Sequence, residues 1–343
     1  MKAAVVETFG EPSKALKVTE VPIPYYNRPL ESSQVRIQVK AASINPVDAK
    51  ISRGLLALVL RNVRPPFVPG FDFAGIVDEV GSQVRLFSKG DAVFGRACLV
   101  HGSFAEYCIA EESDIHPMPN NVTFEQACCF PVVGLTAYCG LVQYGRLRRG
   151  ERVLVVGASG GVGSQAVPMA KLLGASFVGA VCSARNVAFA KNIGADKVYD
   201  YQSTSIEEMV KDCKPDLVLD TIGVDEYWDA ACKYVSPRTG RLVCTLPPGG
   251  SSYQHALSWK SFLHISMEVS RRKLQHWWKR APNYSIIFTL ETAHLREIAE
   301  WIERDKLKAF IEHVYSLDEV VQALERLETG RVVGKLVLRI QQQ

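Results

Sequence analysis

A glycine-rich turn between an apolar strand and a helix constrains the fold of this chain more than any other feature. Residues 153–163 read Val-Leu-Val-Val-Gly-Ala-Ser-Gly-Gly-Val-Gly, after a buried-strand pattern at 152–156 and before a helical pattern at 163–173. Glycines at these spacings let the backbone turn tightly and approach a pyrophosphate. The charge of that group is met by free N–H groups and by the positive end of the helix dipole. The pattern therefore predicts a dinucleotide-binding turn in a βαβ unit.

Strand and helix patterns continue to alternate along the second half of the chain. A helical pattern at 124–144 precedes the turn, and a strand pattern at 177–182 completes the βαβ unit. Buried strands that alternate with helices predict a doubly wound parallel sheet, so residues 126–290 are interpreted as a Rossmann-type domain. Its further elements are a helix at 184–193 and strands at 197–199, 217–220, 241–245 and 286–290.

The first part of the chain has a different pattern. Its short β-rich runs are broken by proline and glycine clusters such as residues 64–70 (Arg-Pro-Pro-Phe-Val-Pro-Gly). Residues 1–125 are therefore predicted to form an irregular, mostly antiparallel β domain. We assign residues 291–343 to the same domain, and the length of 343 residues supports two domains because it exceeds what one hydrophobic core usually serves. The elements expected in 291–343 are helices at 292–304 and 317–327 and strands at 310–315 and 334–340.

The residues after the second strand of the βαβ unit distinguish between the two nicotinamide dinucleotides. An NAD site expects an Asp or Glu about 20 residues beyond the turn, to accept hydrogen bonds from the ribose 2′-hydroxyl. Residues 181–185 read Val-Cys-Ser-Ala-Arg, so Ser183 and Arg185 stand where a 2′-phosphate needs donors and positive charge. The sequence therefore predicts NADPH. As an alternative, Ser183 only caps a helix and Arg185 is a solvated first-turn residue.

Charge and cysteine usage bear on the partners and the compartment. The 40 Lys and Arg residues nearly balance the 36 Asp and Glu residues, so no global field indicates nucleic acid or an anionic membrane. The nine cysteines lie mostly in apolar runs without a C-x-x-C pattern, which is typical of reduced core residues. We find no signal or presequence pattern, and apolar runs such as 55–60 are too short to span a bilayer. We expect a soluble cytoplasmic protein, or a mitochondrial one only if a presequence was removed.

Further motifs lie outside the turn. They are found at 42–48 (Ala-Ser-Ile-Asn-Pro-Val-Asp), 69–75 (Pro-Gly-Phe-Asp-Phe-Ala-Gly), 79–81, 89–95, 131–138, 194–201 and 330–335. With the turn, they resemble the medium-chain dehydrogenase/reductase superfamily from end to end, and within it the quinone oxidoreductase branch. Residues 180–183 and 273–279 look nearest to the reticulon-interacting oxidoreductases. The resemblance implies a GroES-like domain at 1–125 and 291–343, and homodimers made by edge-to-edge pairing of the cofactor domains are usual in this branch.

The resemblance also bears on metal binding. Zinc alcohol dehydrogenases of this superfamily have a Cys ligand where this chain has Asn45, and a His-Glu pair where it has Phe71 and Asp72. None of the seven histidines pairs with a cysteine at ligand spacing, so the sequence predicts no metal. Alcohol oxidation is then disfavoured, because no Lewis acid stabilises an alkoxide. Hydride transfer from NADPH to a quinone or an α,β-unsaturated carbonyl needs only positioning and a proton source.

By the same resemblance, Asn45 would lie beside the nicotinamide and the acceptor as a hydrogen-bond donor, and Asp48 would hold the loop. Ordinary turn formation is the alternative for Asn45. Where several quinone reductases carry a Tyr this chain has Lys50, which is either a catalytic proton donor or a solvated charge. Lys335 is either a cofactor contact or part of a turn into the last strand. Further cofactor contacts carried over by position are Thr136, Ser159, Gly160, Gly161, Val162, Tyr201, Thr221, Ile222, Thr245 and Leu246.

A basic and aromatic stretch at 271–280 (Arg-Arg-Lys-Leu-Gln-His-Trp-Trp-Lys-Arg) lies outside the catalytic motifs. Its composition is compatible with nucleic-acid binding or with a basic amphipathic helix at a membrane. Met267, Leu274 and Trp278 share one helical face, which favours instead a core-facing helix with a charged outer face and disfavours nucleic acid.

Two functional alternatives remain beside quinone or enone reduction: reduction of enoyl thioesters, and a non-catalytic partner or RNA-binding protein that retains NADPH as a structural ligand. The acceptor pocket is expected in segments 55–64 and 248–266, and nothing in them names a substrate.

Overall fold

A computed structural model gives the fold of residues 1–55, 57, 60, 63–248, 259–287 and 291–340. The chain divides into two units, each with its own hydrophobic core. The first unit comprises Met1–Leu135 and Thr292–Gln343, and the second comprises Thr136–Glu291.

Strands dominate the first unit. β1 (Lys2–Val6) and β2 (Leu16–Glu20) form an antiparallel ribbon. The main sheet has the order β14-β15-β3-β4-β5-β7, with β6 also paired to β3. Its pairs are antiparallel except for β14 with β15. These seven strands are β3 (Gln34–Ser43), β4 (Asp72–Val80), β5 (Ala92–Arg96), β6 (Tyr107–Glu111), β7 (Ile115–Pro117), β14 (Ile311–Ser316) and β15 (Lys335–Arg339).

The register of this sheet brings distant parts of the chain together. In the pairing of β3 with β4, Ser43 lies opposite Asp72, and in the pairing of β3 with β15 it lies opposite Val337. The C-terminal strand is thereby placed beside the end of β3. The helices of this unit are α1 (Pro12–Ala15), α2 (Pro46–Ser52), α3 (Phe124–Ala127), α10 (Leu295–Glu303) and α11 (Val320–Glu328), together with most of α4 (Pro131–Tyr138).

The helical segment Phe124–Tyr144 is interrupted rather than continuous. It consists of α3, α4 and a π-helical stretch over Cys139–Tyr144. By length and composition it is the one described helix that could cross a membrane, but its apolar window is 78% buried inside the protein. Burial of this kind is what the core helix of a folded domain shows.

The second unit is built on a six-stranded parallel sheet. The strand order is β10-β9-β8-β11-β12-β13, so β8 and β11 are neighbours although two strands separate them in sequence. This order is that of the doubly wound fold, and the predicted fold class is confirmed. The strands are β8 (Arg152–Val156), β9 (Phe177–Cys182), β10 (Lys197–Asp200), β11 (Leu217–Asp220), β12 (Arg241–Cys244) and β13 (Asn283–Ile286).

Most predicted boundaries in this unit hold within a few residues. The strand predicted at 286–290 forms at Asn283–Ile286 instead, and residues 288–290 lie outside the described residues. Two helices, α7 (Ile206–Cys213) and α8 (Glu226–Tyr234), were not predicted. The first of them carries a clear start signal, because Ser205 and Glu208 form a capping box at its beginning. The helices are α5 (Gly161–Leu172), α6 (Val187–Asn192), α7 (Ile206–Cys213), α8 (Glu226–Tyr234) and α9 (Trp259–Trp277).

The expectation that Met267, Leu274 and Trp278 face the core is wrong. The helix itself forms as α9, but these three side chains are exposed, whereas Arg272 is buried. The buried guanidinium has enough polar and aromatic partners to offset the loss of its water. Helix α9 therefore packs through Arg272 together with Val269, while Leu263, Met267, Leu274 and Trp277 lie on its exposed side.

Candidate functional site

The glycine turn lies at the carboxyl end of β8, where the strand order reverses towards β11. The turn is closed by hydrogen bonds from the Gly157 and Ala158 N–H groups to the Val181 carbonyl, at 3.1 and 2.9 Å. Helix α5 begins directly afterwards, and its N-cap residue, Gly160, has no side chain that could cap the helix. The first N–H groups of a helix have no intrahelical partner, and at this point of a doubly wound sheet such groups bind phosphate.

The glycines of the turn serve two different purposes. Gly157 has a positive φ of 75°, and a β-carbon at Gly163 would overlap the Gly157 carbonyl oxygen and the Ala158 backbone. These two positions fix the turn and pack it onto the helix. At Gly160, by contrast, the nearest atom to an added β-carbon is the Gly157 carbonyl oxygen at 3.4 Å. The structure can hold a side chain there, so the open space at Gly160 fits an approaching pyrophosphate.

The ends of β9 and β10 lie beside the turn. Ser183 precedes a short 3-10 helix without a side-chain capping bond among the described residues, and Arg185 is exposed. Asn186, which sequence reasoning missed, is buried and donates to the Ser159 hydroxyl at 2.9 Å. It orients a side chain of the turn. Tyr201 follows β10 and is exposed.

A carboxylate absent from the predicted site also lies here. Asp200 ends β10 opposite Cys182 of β9, and its Oδ1 accepts the Ala184 and Gln202 N–H groups, both at 3.1 Å. The carboxylate is thus engaged in shaping the loop that carries Ser183. The alternating strand and helix pattern does not show that Asp200 lies near the loop of Ser183, because only the folded sheet places β10 beside β9.

The loop after β11 is held by a buried carboxylate. Asp220 accepts the N–H groups of Ile222, Gly223 and Val224 at 2.8, 3.0 and 3.1 Å, and burial raises the pKa of Asp220 despite these three bonds. The Thr221 hydroxyl donates to the Val156 carbonyl at 2.7 Å, so it joins the ends of β11 and β8.

The roles of the other residues predicted in this unit as cofactor contacts stay predictions. Thr245 and Leu246 follow β12, Gly161 and Val162 open α5, and Thr136 is buried in α4.

In the first unit, Asn45, Asp72 and Lys335 form a buried polar network. The Asn45 amide donates from Nδ2 to Asp72 Oδ2 at 2.8 Å and accepts at Oδ1 from Lys335 Nζ at 2.7 Å. Lys335 Nζ also lies 3.4 Å from Asp72 Oδ2 and donates to the Ile44 carbonyl at 3.0 Å. Asp72 accepts further bonds from Ser43 Oγ and from the Val132 N–H, at 2.9 and 2.8 Å.

This network was not foreseen as a unit. Asp72 is 0% exposed, and a carboxylate so buried needs paired charge and several donors. The one sequence signal was an Asp inside the apolar run at 71–74, since charged residues are almost never fully buried unless paired. The roles of Asn45 and Lys335 as cofactor contacts stay predictions, while the structure gives both side chains a place around Asp72.

Asp48 lies next to this network at the start of α2. It is 1% exposed, and its Oδ2 accepts the Asn45 N–H at 2.7 Å, which fixes the beginning of the helix. Oδ1 has no hydrogen-bond partner among the described residues and borders a cavity of about 10 Å³ lined by apolar side chains. Burial raises the pKa of Asp48 from 3.8 to about 7, and the nearby Asp72 adds to the rise. The hydrogen bond from the Asn45 N–H opposes the rise in pKa by more than Asp72 adds to it, and Lys335 and the Phe71 backbone oppose it more weakly.

Lys50 lies one turn after Asn45 on α2. It is half-buried, and burial lowers the pKa of its ammonium group. Among the residues that the structure describes, we find no hydrogen bond or ion pair to the Lys50 ammonium group. Burial thus lowers the pKa of this group in the direction that favours a proton donor.

No group of three or more His, Cys, Asp or Glu side chains that could hold a metal ion occurs in the described part of the chain. At two of the positions where zinc alcohol dehydrogenases carry their ligands, this chain has Asn45 and Asp72, both bound to Lys335.

Comparison with known proteins identifies the family. Residues 31–120 match the alcohol dehydrogenase GroES-like domain, and residues 193–338 match a zinc-binding dehydrogenase domain. The chain is 31% identical to NAD(P)H oxidoreductase RTN4IP1, mitochondrial, from Bos taurus, over 99% of this chain and 89% of the relative. It is 32% identical to 2-methylene-furan-3-one reductase from Solanum lycopersicum, over 90% of this chain and 72% of the relative.

Solved structures agree with this assignment. The quinone oxidoreductase of Coxiella burnetii superposes with a TM-score of 0.82 at 30% identity, with 99% of each chain covered. The predicted combination of a GroES-like and a Rossmann-type domain is confirmed. The chain therefore belongs to the medium-chain dehydrogenase/reductase superfamily of nicotinamide-dependent oxidoreductases, with quinone oxidoreductases and RTN4IP1-like proteins among its homologues.

Proposed function

We propose that this protein is an NADPH-dependent, metal-free oxidoreductase that reduces quinones or α,β-unsaturated carbonyls. The observation that carries the proposal is the uncapped start of α5 at the carboxyl end of β8, with open space at Gly160. Ser159, Gly161 and Val162 would hold the pyrophosphate there, through N–H groups and the helix dipole.

The preference for NADPH rests on the end of β9. Ser183 and Arg185 offer a hydroxyl and a guanidinium to the 2′-phosphate, and the exposed Tyr201 would lie beside it. The neighbouring carboxylate of Asp200 accepts two backbone N–H groups of the loop. It therefore shapes the loop, and it ends β10 rather than β9, the strand after which an NAD enzyme carries its ribose-binding carboxylate.

Charge substitution tests this preference directly. The Arg185→Ala variant should lose about 10- to 100-fold in kcat/KM for NADPH and keep its value for NADH, because a charge-assisted hydrogen bond is worth about 1.5–3 kcal/mol. Lys191→Ala, which removes an exposed charge from α6, is the matched control and should change neither value. A wild-type preference for NADH would refute the assignment of Ser183 and Arg185.

The metal-free chemistry rests on the network around Asp72. The Lys335 ammonium group binds both Asn45 and Asp72, so positive charge already compensates the buried carboxylate. Alcohol oxidation through a metal alkoxide has no basis in such a set of side chains. Metal analysis of the purified protein, with activity measured before and after chelation, tests this point, and a chelator-sensitive activity restored by zinc would refute it.

Bound NADPH supplies a hydride, and reduction of a quinone or an enone needs a proton in addition. We assign that proton to the ammonium group of Lys50, whose lowered pKa makes it a better donor than an ordinary surface lysine. Asp48 holds the Asn45 backbone and so positions the first turn of α2, which carries Lys50.

A steady-state comparison of quinones, alkenals and enoyl thioesters, each with NADPH and with NADH, tests the proposal as a whole. Turnover with quinones or alkenals and NADPH supports it. Binding of NADPH without turnover across the panel would leave a non-catalytic protein, and a marked preference for enoyl thioesters would assign the chain to thioester reduction.

We also propose a homodimer formed through the edge of the second unit's sheet. β13 lies at that edge and pairs with β12 on one side only among the described strands. Light scattering tests the stoichiometry. A monomeric wild-type protein would refute the proposal.

A further inference from the structure

Helix α9 packs against the second unit through Val269 and a buried arginine, and a second set of apolar residues lies on its exposed side. Its inward face carries Arg272, whose guanidinium donates to Asp225 Oδ1 at 2.7 Å and to Glu268 Oε1 at 3.0 Å. The same group lies over the rings of Trp228 and Tyr284, at 5.2 and 4.7 Å from their centroids. These contacts satisfy the buried charge and tie the helix to the rest of its unit.

The outward face carries a continuous line of residues, which we call the α9 stripe. Its members follow one another at intervals of four, three, four and three residues, so they lie along one side of the helix. The one polar member, Ser270, donates its hydroxyl to the Ser266 carbonyl at 2.8 Å and is thus satisfied within the helix. The stripe consists of Leu263 (59% exposed), Met267 (64%), Ser270, Leu274 (46%) and Trp277 (73%).

The exposed apolar surface of this stripe is large. With the adjoining Trp278, which is also exposed, it amounts to on the order of 600 Å² of accessible side-chain area. This area is at the upper end of the roughly 300–600 Å² of the largest apolar patch on a typical monomer, and such patches often have a function.

Basic residues flank the α9 stripe on both sides. By helical position, Lys260 and Arg271 lie to one side of it and Lys273 to the other, while Lys279 and Arg280 follow the end of the helix. The helix contains a single acidic residue, Glu268, whose carboxylate is taken up by Arg271 and Arg272. The stripe therefore has an apolar centre and positively charged margins.

We propose that the α9 stripe docks onto an anionic lipid surface, with the helix lying in the plane of the interface. Leu263 and Met267 would enter the acyl boundary, and the two tryptophans would sit at headgroup level, where aromatic side chains with a polar edge are favoured. The lysine stems follow the apolar surface while their ammonium groups reach the lipid phosphates.

Charge and shape favour this occupant over two others. A second copy of the helix would bring two sets of basic margins together, so self-association through this face is opposed by like charges. Nucleic acid meets the basic margins but offers no hydrocarbon for the aliphatic centre of the stripe. An anionic bilayer satisfies both parts of the surface.

Vesicle binding by the full chain tests the proposal. We expect co-sedimentation with phosphatidylcholine vesicles that contain about 30% phosphatidylglycerol, weakened by added salt, and little binding to phosphatidylcholine alone. Brominated lipids in the anionic vesicles should quench tryptophan fluorescence, because Trp277 and Trp278 are the exposed tryptophans of the stripe region.

Matched substitutions locate the contact. The double variant Leu274→Ser with Trp277→Ser should lower vesicle affinity by about tenfold or more and weaken the quenching at a fixed lipid concentration. The control is Leu86→Ser, since Leu86 is 75% exposed in the first unit and outside the stripe. Lys273→Glu with Lys279→Glu should weaken binding to anionic vesicles, whereas Lys306→Glu, also exposed, should not. All six positions are exposed, so circular dichroism and thermal unfolding should match the wild type.

Several results would overturn the proposal. These are absence of binding to anionic vesicles, equal binding to neutral ones, and vesicle binding that the stripe variants leave unchanged. Sedimentation velocity is a further test. If the double variant at Leu274 and Trp277 is monomeric where the wild type is dimeric, and still binds vesicles, the stripe is a dimer interface and the proposal is wrong. Tight, salt-dependent binding of polyuridylate without vesicle binding would assign the face to RNA.

Discussion

Replacement of Asp48 by asparagine isolates the cost of a buried carboxylate in the first unit. Burial raises the pKa of Asp48 from 3.8 to about 7, with a smaller contribution from Asp72. A carboxyl group whose pKa is raised in the folded state contributes stability that is fully present below the unfolded pKa. That stability is lost as the pH rises through the folded pKa. A shift of about three pKa units corresponds to about 4 kcal/mol, lost between pH 4 and pH 7.

The Asp48→Asn variant should lack this loss. The amide oxygen can still accept the Asn45 N–H, and the amide nitrogen replaces Oδ1 beside the small apolar cavity. At pH 4 the two proteins should therefore have similar free energies of unfolding. Above pH 7 the variant should be more stable than the wild type by about 4 kcal/mol.

Urea unfolding of both proteins from pH 4 to pH 8 measures this difference, and other titrating groups cancel in it. Hydrogen exchange of peptides from Gln34–Ser43 assigns the effect to the first unit. The control Asp318→Asn removes only an exposed ion pair with Lys2 and should follow the wild type at every pH. A difference that is constant with pH, or a wild type that gains stability over the variant as the pH rises, would refute the reasoning, since Asp48 would then be ionised in the folded state.

Three further outcomes follow from the same geometry. Lys335→Met should lower the free energy of unfolding in urea by about 3–5 kcal/mol, because it leaves the Asp72 carboxylate buried without its cation. A loss below about 1 kcal/mol would contradict the stabilising role of the network. Gly163→Ala should lower thermal stability by the equivalent of about 2–3 kcal/mol. Gly160→Ala should leave thermal stability nearly unchanged but weaken NADPH binding about tenfold in fluorescence titration. Equal effects of the two substitutions on stability would show that the two glycines do not differ in role. Lys50→Gln should lower kcat about 100-fold. It should also remove the decline of the rate at high pH, because that decline comes from deprotonation of the Lys50 ammonium group, whose pKa is lowered. An unchanged pH profile would exclude Lys50 as the donor.

The sequence was sufficient for the architecture of the second unit. Strand and helix patterns with the glycine turn predict a parallel doubly wound sheet, because each buried strand and each helix leaves its own periodicity in a short window. The same local logic places the glycine turn after β8 and notes that no carboxylate follows β9. The resemblance of contiguous motifs assigned the chain to its superfamily, and the comparisons confirm that assignment.

Tertiary structure alone decided which side chains meet. Asp72 and Lys335 are 263 residues apart and come together because β3 pairs with both β4 and β15. Likewise, periodicity predicted the α9 helix but not its orientation. The sequence shows where apolar and charged residues lie around this helix. The partners of Arg272 on other elements determine that the side carrying Arg272 is the buried one. The physical reason is the same in both cases: local patterns specify elements, whereas the desolvation of a charged group is offset by partners that only the folded chain brings within reach.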